Sequence, residues 1–598
     1  MPDTVSRECS ALQHLAADNS YIGIVELLFG RGASITAIDQ DYHTLLHCAA
    51  RDGYTDTLKL LLEKGAPIDA LNTEDNSALH LAASEGCTEV VELLLDKSAS
   101  TTVINRFNNT SLHLAAERGY TDTVKLLLEK GTGTPIEAVN QDNNSPLHLA
   151  AERGHTGVVE VLFWKGANAE VRNQDKNTPL HLAATGGHTG VVEVLLTKGA
   201  NAEVRNQDKN TPLHLAATGG HTGVVEVILG KSIHHSLRNQ YYNAPLHLAA
   251  MGGHTRVVEV LLKKGSYAAV RNQYDNTPLH LAAERGHTRV VEVLLAKRAF
   301  IDALNKDNLT PLYSAMRDGH AEVVNLLLNN GASTNVTTQY NSTPLHLAAK
   351  RGHTDVVALL LEKRMSMMLM DKNGDTPLHL AALKGHAGTM QLLLEHYTPI
   401  GAIGHHGRRL LQIAVWNGHT EVVEVLLKNG VLIEAMEGEN KILLHFATSR
   451  GYNGIVELLL MKAALLDPEN NTPLHCAARG GYIDVVKLLL KKGARRIENW
   501  NSCKRTPLHI AAQNGHTGFV KLLLARGASI EARDQCSYTP LSLAAMEGQI
   551  EVVELLLKKG ALIEAVNDSK WTPLHIAASS GHTGVVEMLL REGLQLML

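Results

Sequence analysis

The chain repeats one short sequence pattern along almost its whole length. Thr178-Pro-Leu-His-Leu-Ala-Ala184 recurs as Thr211-Pro-Leu-His-Leu-Ala-Ala217, and residues 165–194 are identical to residues 198–227. We call the position of the histidine in this motif the marker. Its eighteen occupants are His14, His47, His80, His113, His148, His181, His214, His247, His280, Tyr313, His346, His379, Gln412, His445, His475, His509, Ser542 and His575. Repetition at a fixed period predicts a stack of similar units rather than separate globular domains.

Each copy contains the start and stop signals of two short helices. Thr211 is a good helix N-cap, and Pro212 follows at the first helical position, where its missing N–H costs little. Gly219-Gly220 ends this first helix, and the apolar segment from Gly223 to Leu229 predicts a second one. The segment between one second helix and the next first helix is rich in Asn and Asp, which favours a projecting turn that we call a finger.

The repeat length and the Thr-Pro-Leu-His-x-Ala motif resemble those of the ankyrin-repeat family. The resemblance extends from about Ser10 to about Gly593. It implies an all-α repeat solenoid, in which stacked helix-turn-helix units carry β-hairpin fingers and form a curved superhelix. It also implies that partner proteins bind on the concave surface formed by the fingers and the first helices. An aromatic content of only 4% agrees with the thin core of such a stack.

Three irregular spacings predict where the stack divides. Marker positions are 33 residues apart, except for 35 before His148, 30 before His475 and 34 before His509. The changes fall at residues 131–135, 461–469 and 495–503. We therefore predict blocks at 1–130 (repeats 1–4), 131–461 (repeats 5–14) and 462–598 (repeats 15–18), with a further division near residue 500 as an alternative.

Composition and motifs argue against several classes of function. A net charge of −5 disfavours nucleic acid as a partner. We expect no membrane insertion, because no apolar run reaches bilayer length, and no secretion, because the N-terminus lacks a signal peptide. No CxxC pair or catalytic motif occurs, and almost no sequence lies outside the repeats. We therefore expect no cofactor, no metal site and no enzyme activity. The expected location is the cytoplasm, with the nucleus as an alternative.

The 32 histidines are the strongest argument for a metal or catalytic site. Most occupy two regular positions, the marker and a Gly-His-Thr motif that includes His155, His188 and His221. A metal site needs different ligands converging on one point, whereas regularly repeated histidines suit turns and contacts between repeats. The family resemblance implies the same structural role.

Aromatic residues depart from the repeat pattern at the fingers. The position six residues before the marker is usually Asp or Asn, but it is Phe107, Tyr241, Tyr274 and Tyr340 in four repeats. Tyr242 follows one of these, and Trp500 and Trp571 lie in later fingers. Exposed aromatics are enriched among binding hot spots, so we predict partner contacts here. Packing of aromatic rings between neighbouring fingers is the alternative.

A basic residue stands nine positions before the marker in four successive repeats. These residues are Arg172, Arg205, Arg238 and Arg271. Such a series could bind an acidic partner through bidentate pairing. Glu170 and Glu203 each lie two residues before an arginine, however, and this spacing favours local salt bridges as the explanation.

Two functions remain open from the sequence. The favoured one is a monomeric, non-catalytic scaffold or adaptor that binds other proteins or peptides on the concave face and the fingers. The alternative is a regulatory or anchoring arm of a larger membrane channel or membrane–cytoskeleton linker. The last repeat is close to the repeat pattern and has an apolar outer face, so we expect a fragment of a longer protein or an early stop.

Overall fold

The computed structural model describes most of the chain. The described residues are 13–17, 21–31, 33–39, 42–231, 234, 236–334, 341–396, 404–431, 443, 446–460, 472–491 and 497–597. They form two compact units, Met1–Ser333 and Thr334–Leu598. Each unit is built from successive helix pairs, one pair for each marker.

The first helix of each repeat lies at the marker, although His445 itself lies outside the described residues. In the first unit these helices are 13–17, Leu45–Arg51, Ala78–Glu85, Ser111–Arg118, Pro146–Arg153, Pro179–Gly186, Pro212–Gly219, Pro245–Met251, Pro278–Glu284 and Pro311–Asp318. In the second unit they are Pro344–Arg351, Pro377–Lys384, Gly404–Trp416, 446–449, Pro473–Gly480, Pro507–Gln513, Pro540–Met546 and Pro573–Ser579.

The second helix of each repeat follows after a short turn. In the first unit these helices are Ile22–Gly30, Thr55–Glu63, Thr88–Asp96, Thr121–Lys130, Thr156–Trp164, Thr189–Thr197, Thr222–Leu229, Thr255–Lys263, Thr288–Ala296 and Ala321–Asn329. In the second unit they are Thr354–Glu362, Ala387–Glu395, Thr420–Lys428, Asn453–Leu460, Ile483–Lys491, Thr517–Ala525, Ile550–Lys558 and Thr583–Met597.

The predicted helix ends are present in the repeat of His214. Thr211 is an extended N-cap, and its N–H donates to Nδ1 of His214 at 3.2 Å. Gly220 ends the helix at a φ of 74°, in the left-handed region that glycine tolerates best. A Cβ at Gly220 would lie only 2.5 Å from Nδ1 of His254 in the next repeat. The glycine therefore serves both the turn and the contact between repeats.

Small and branched apolar side chains form the core of each stack. Ala216 and Ala217 of a first helix are fully buried, as are Val224, Val225 and Ile228 of its second helix. First helices pack against the first helices of neighbouring repeats, and second helices do the same. Each repeat thus buries its apolar face only by stacking, as the sequence pattern predicts.

The fingers are turns rather than strand pairs. Among the described residues no strand is present, and the only β-bridge is an isolated one between Ile38 and Thr44. The expected β-hairpin form of the fingers is therefore not confirmed. In the fingers that the structure describes, a side chain closes the turn instead, as in the one before His247. There Oδ1 of Asn239 accepts the N–H groups of Tyr241 and Asn243, both at 3.0 Å.

Asparagine side chains also link one finger to the next. Nδ2 of Asn239 donates to Oδ1 of Asn210 in the preceding finger at 2.9 Å. We call the series of such contacts the asparagine ladder. Its other members in the first unit are Asn105 with Asn76, Asn173 with Asn144, Asn206 with Asn177, Asn272 with Asn243 and Asn305 with Asn276. Each contact joins the position eight residues before a marker to the position four residues before the preceding marker.

The ladder changes its chemistry in the second unit. There the equivalent pair is Arg505 and Asp534, and Nε of the arginine donates to Oδ2 of the aspartate at 3.0 Å. Asp534 still closes its own finger, because its Oδ1 accepts the N–H groups of Cys536 and Tyr538. The direction of donation is therefore reversed while the link between fingers is kept.

The first irregular joint interrupts the ladder. Residues 131–135 form a wider loop, in which the hydroxyl of Thr134 donates to the carbonyl oxygen of Leu127 at 2.8 Å. Oδ1 of Asn109, which would accept the next ladder contact, is buried without a hydrogen-bond partner. The joint at 461–469 lies outside the described residues, as does part of the joint at 495–503.

Candidate functional site

The aromatic residues six positions before the marker have fixed backbones and exposed rings. Phe107, Tyr241 and Tyr274 are 46%, 51% and 56% exposed. Their N–H groups donate to the asparagine that closes their own finger, and their carbonyl oxygens accept from the next finger. For example, the N–H of Gln273 donates to the oxygen of Tyr241 at 3.2 Å. The stack thus holds these rings at its surface without burying them. Tyr340 lies outside the described residues.

Tyr242 occupies a conformation that a bulky side chain disfavours. Its φ is 59°, and the same finger position holds Asn108, Asn143 and Asp275 at similar angles in other repeats. Asn and Asp tolerate this left-handed region far better than tyrosine does. Tyr242 is also 57% exposed, so little packing compensates for the backbone strain.

The structure brings together only some of the predicted aromatic residues. Tyr241, Tyr242 and Tyr274 lie on two successive fingers of the first unit. Phe107 lies four fingers earlier, beneath the guanidinium of Arg106 at 4.7 Å from its ring centroid. Among the described residues the only pair of rings in contact is His43 with His47, so ring packing between fingers does not explain the tyrosines.

The two predicted tryptophans belong to the second unit and occupy other finger positions. Trp500 stands nine residues before its marker and is 62% exposed. Trp571 stands four residues before its marker and is 45% exposed. Its N–H donates to Oδ1 of Asn567 at 2.8 Å, so Asn567 closes this finger as Asn239 closes its own.

The interpretation that the arginines form local salt bridges is wrong. Arg172, Arg205, Arg238 and Arg271 are all exposed, and within the described residues none forms an ion pair. The carboxylate of Glu170 accepts the N–H of Asn201 at 2.7 Å instead. That of Glu203 accepts the N–H and contacts Nδ1 of His234, both at 2.8 Å.

A cavity lies beside two of these arginines. Its volume is about 350 Å³, within the range of ligand pockets. Arg238 and Arg271 from successive fingers line it, together with Ala244, Leu246 and Val270. These are the same two fingers that carry Tyr241, Tyr242 and Tyr274. The structure thus gathers five of the predicted residues around one region.

Two exposed aromatics that the finger-tip pattern does not include also lie beside this region. Tyr267, which lines the cavity, is 65% exposed, and Phe300 in the next repeat is 63% exposed. Both stand thirteen residues before their markers, where the neighbouring repeats have Asn168, Asn201 and His234. An aromatic residue at this otherwise polar position is therefore a sequence signal for the same region.

The marker histidines are structural, as predicted. His214 accepts the N–H of Thr211 at Nδ1, so its proton is on Nε2, which donates to the carbonyl oxygen of Asn243 at 3.0 Å. Burial lowers the pKa of this imidazole to about 4. The ring is therefore neutral at physiological pH and joins one repeat to the next.

The second set of histidines links repeats through their turns. Nε2 of His221 lies 2.9 Å from the carbonyl oxygen of Thr185, and Nε2 of His254 lies 2.8 Å from that of Thr218. In the described part of the chain, no group of three or more His, Cys, Asp or Glu residues is arranged to hold a metal ion. Within the same limits, no helix is both long and apolar enough to span a membrane.

Comparison with known proteins establishes the family. The model for ankyrin repeats (three copies) matches residues 13–105, 99–175, 147–239, 232–305, 299–369, 364–437, 444–534 and 508–597. The chain belongs to the ankyrin-repeat family, whose repeats are in general protein-interaction modules and typically non-catalytic.

One solved structure illustrates the similarity. The crystal structure of the human ASB11 ankyrin repeat domain matches with 31% sequence identity and a TM-score of 0.35. The match covers 37% of this chain and 99% of that chain. No curated protein matches the chain.

Proposed function

We propose that this protein is a non-catalytic scaffold or adaptor that binds partner proteins or peptides on its fingers and first helices. The observation that carries the proposal is the group of exposed aromatics on two successive fingers, Tyr241, Tyr242 and Tyr274. Their backbones are fixed by the stack and their rings are not used by it. Rigid, exposed aromatics bind with a small entropic cost, which suits a binding surface.

The charge and family of the chain support the rest of the proposal. A net charge of −5 supports a protein partner over a nucleic acid. We propose that the protein acts as a monomer, since a stack can present its binding surface without a second copy. The proposed location is the cytoplasm. These statements extend the general role of ankyrin repeats to this chain.

Cross-linking tests which face of the repeats binds. Lys176 and Lys209 lie on finger tips, whereas Lys125 and Lys263 lie on second helices, and all four are exposed. The full chain is used to capture partners from native lysate, and an amine-reactive cross-linker is then added. Mass spectrometry should find partner peptides attached to Lys176 and Lys209. Attachment to Lys125 and Lys263 with none at the finger tips would contradict the proposal.

A further inference from the structure

A carboxylate links neighbouring fingers at one repeated position of the first unit. The acidic residue stands eleven positions before the marker, and its carboxylate accepts the backbone N–H of the residue 31 positions later. The pairs are Asp69 with Ser100 at 3.0 Å, Glu137 with Asn168 at 2.8 Å, Glu170 with Asn201 at 2.7 Å, Glu203 with His234 at 2.8 Å and Asp302 with Ser333 at 2.9 Å. We call this contact the acid bridge. The acid bridge shows that the backbone N–H at the later position of each pair binds a carboxylate in the native protein.

Two successive acid bridges are missing. Ser236 and Ala269 occupy the position of the acidic residue in these two fingers. The corresponding amides belong to Tyr267 and Phe300, and among the described residues neither N–H donates a hydrogen bond. The cavity of about 350 Å³ lies at this gap, because Ser236, Ala269 and Tyr267 all line it.

The cavity also offers other groups suited to a carboxylate. Ser266 lines it, and its Oγ is buried without a hydrogen-bond partner. Arg238 and Arg271 supply two positive charges. Arg271 uses one N–H of its guanidinium on the carbonyl oxygen of Leu304 at 2.8 Å, and its other N–H groups remain available. The free N–H of Tyr267 and the guanidinium groups of Arg238 and Arg271 therefore surround a position that lacks the usual carboxylate, and together they form an anion site.

We propose that this cavity binds an acidic side chain of a partner protein, a glutamate or aspartate flanked by apolar residues. The partner carboxylate takes the place of the missing acid on the N–H of Tyr267. Arg238, Arg271 and the hydroxyl of Ser266 bind the same carboxylate. Ala244, Leu246 and Val270 accommodate the apolar neighbours of the acidic residue. This inference rests on the proposed function only in that the ligand is a protein segment.

Short peptides test the chemistry of the site on the full chain. The probe is Gly-Leu-Glu-Leu-Gly-amide with an uncharged fluorophore at its N-terminus, and its matched control has Gln in place of Glu. Fluorescence anisotropy should show the Glu peptide binding at least about tenfold more tightly, because only a carboxylate forms charge-assisted bonds to the arginines. Equal binding of the two peptides overturns the proposal. A third peptide has Gln at the central position and a free C-terminal carboxylate. If it binds more tightly than the Glu peptide amide, the site binds a chain terminus and the assignment to a side chain is overturned.

A substitution that restores the acid bridge tests the location of the site. Ser236→Glu places an acid where Glu203 already stands in the preceding repeat, so the variant should fold normally. Its own carboxylate should occupy the amide of Tyr267, weaken the Glu probe about tenfold or more, and raise the melting temperature. Ser236→Gln fills the same space without charge and should keep most of the binding. Unchanged affinity in Ser236→Glu overturns the proposal.

The two proposals can fail separately. If the Glu and Gln probes bind equally while partner cross-links lie at Lys176 and Lys209, the carboxylate site is wrong and the binding surface stands. If the Glu probe binds selectively while cross-links lie only on the second helices, the proposed function is wrong and the carboxylate site stands.

Discussion

At the scale of single residues, the asparagine ladder connects each finger to the next. Asn239→Asp keeps the acceptor that closes the finger but replaces the donor to Asn210 with a second oxygen. We expect a loss of about 1 to 3 kcal/mol in the free energy of unfolding, since two acceptors then face each other in a partly buried contact. Adding Asn210→Arg should recover much of that loss, because Arg505 and Asp534 already form this pair in the second unit. Urea denaturation of both single variants and the double variant measures the coupling, and an additive double variant would contradict the account.

The backbone strain at Tyr242 lowers the stability of the stack. We expect Tyr242→Asn to raise the free energy of unfolding by about 1 kcal/mol, because asparagine tolerates a φ of 59° better than tyrosine does. The reverse change at an equivalent finger position, Asn143→Tyr, is the matched control and should lower it by a similar amount. Urea denaturation checks both. If Tyr242→Asn instead destabilises the protein, the tyrosine ring contributes to the stack.

At the scale of the repeated elements, buried histidines make the stack sensitive to acid. Burial lowers the pKa to about 4 for His47, His113, His148, His181, His214, His247 and His280. In the unfolded chain their pKa is about 6.5. Below pH 6.5 the unfolded state therefore binds more protons, so stability is complete above this pH and falls as the pH decreases toward 4.

The expected effect at pH 5 is about 2 kcal/mol for each such histidine in a cooperative block. Urea midpoints measured from pH 7.5 to pH 4.5 should decrease steeply below pH 6.5. His214→Gln tests the assignment, because it should show a smaller change in midpoint between pH 7 and pH 5. A midpoint that stays constant from pH 6.5 to pH 5 would contradict the neutral, buried imidazoles.

Much of each element could be predicted from sequence because its determinants are local and repeated. The N-cap at Thr211, the stop at Gly220 and the two histidine positions all follow from residues within a few positions of one another. The role of Glu203 could not be predicted in this way, since the amide that it binds belongs to His234, 31 residues later. For the same reason, the missing acid bridge between Ser236 and Tyr267 could not be predicted from the sequence. A contact between repeats depends on which way a finger side chain points, and spacing within one repeat does not determine that.

At the scale of the whole molecule, the irregular joints predict stepwise unfolding. We propose blocks at 1–130, 131–461 and 462–598, and the buried, unpartnered Oδ1 of Asn109 supports weak coupling at the first boundary. Native contacts also group the chain into two units that meet at Ser333 and Thr334. Hydrogen exchange followed by mass spectrometry across a urea series should show the fingers before and after residue 131 losing protection at different urea concentrations. A single sharp transition for all repeats would contradict the blocks.

The central claim is that residues shared by the repeats stabilise the stack, while residues that depart from the pattern bind the partner. The most direct test measures partner affinity and melting temperature on the same protein carrying Tyr241→Ala and Tyr274→Ala. Trp164→Ala, an exposed aromatic at the end of a second helix, is the matched control and should leave affinity unchanged. We predict that the double variant binds the cross-linked partner at least about tenfold more weakly and keeps its melting temperature. Unchanged affinity, or a fall in melting temperature that accounts for the lost binding, would contradict the claim.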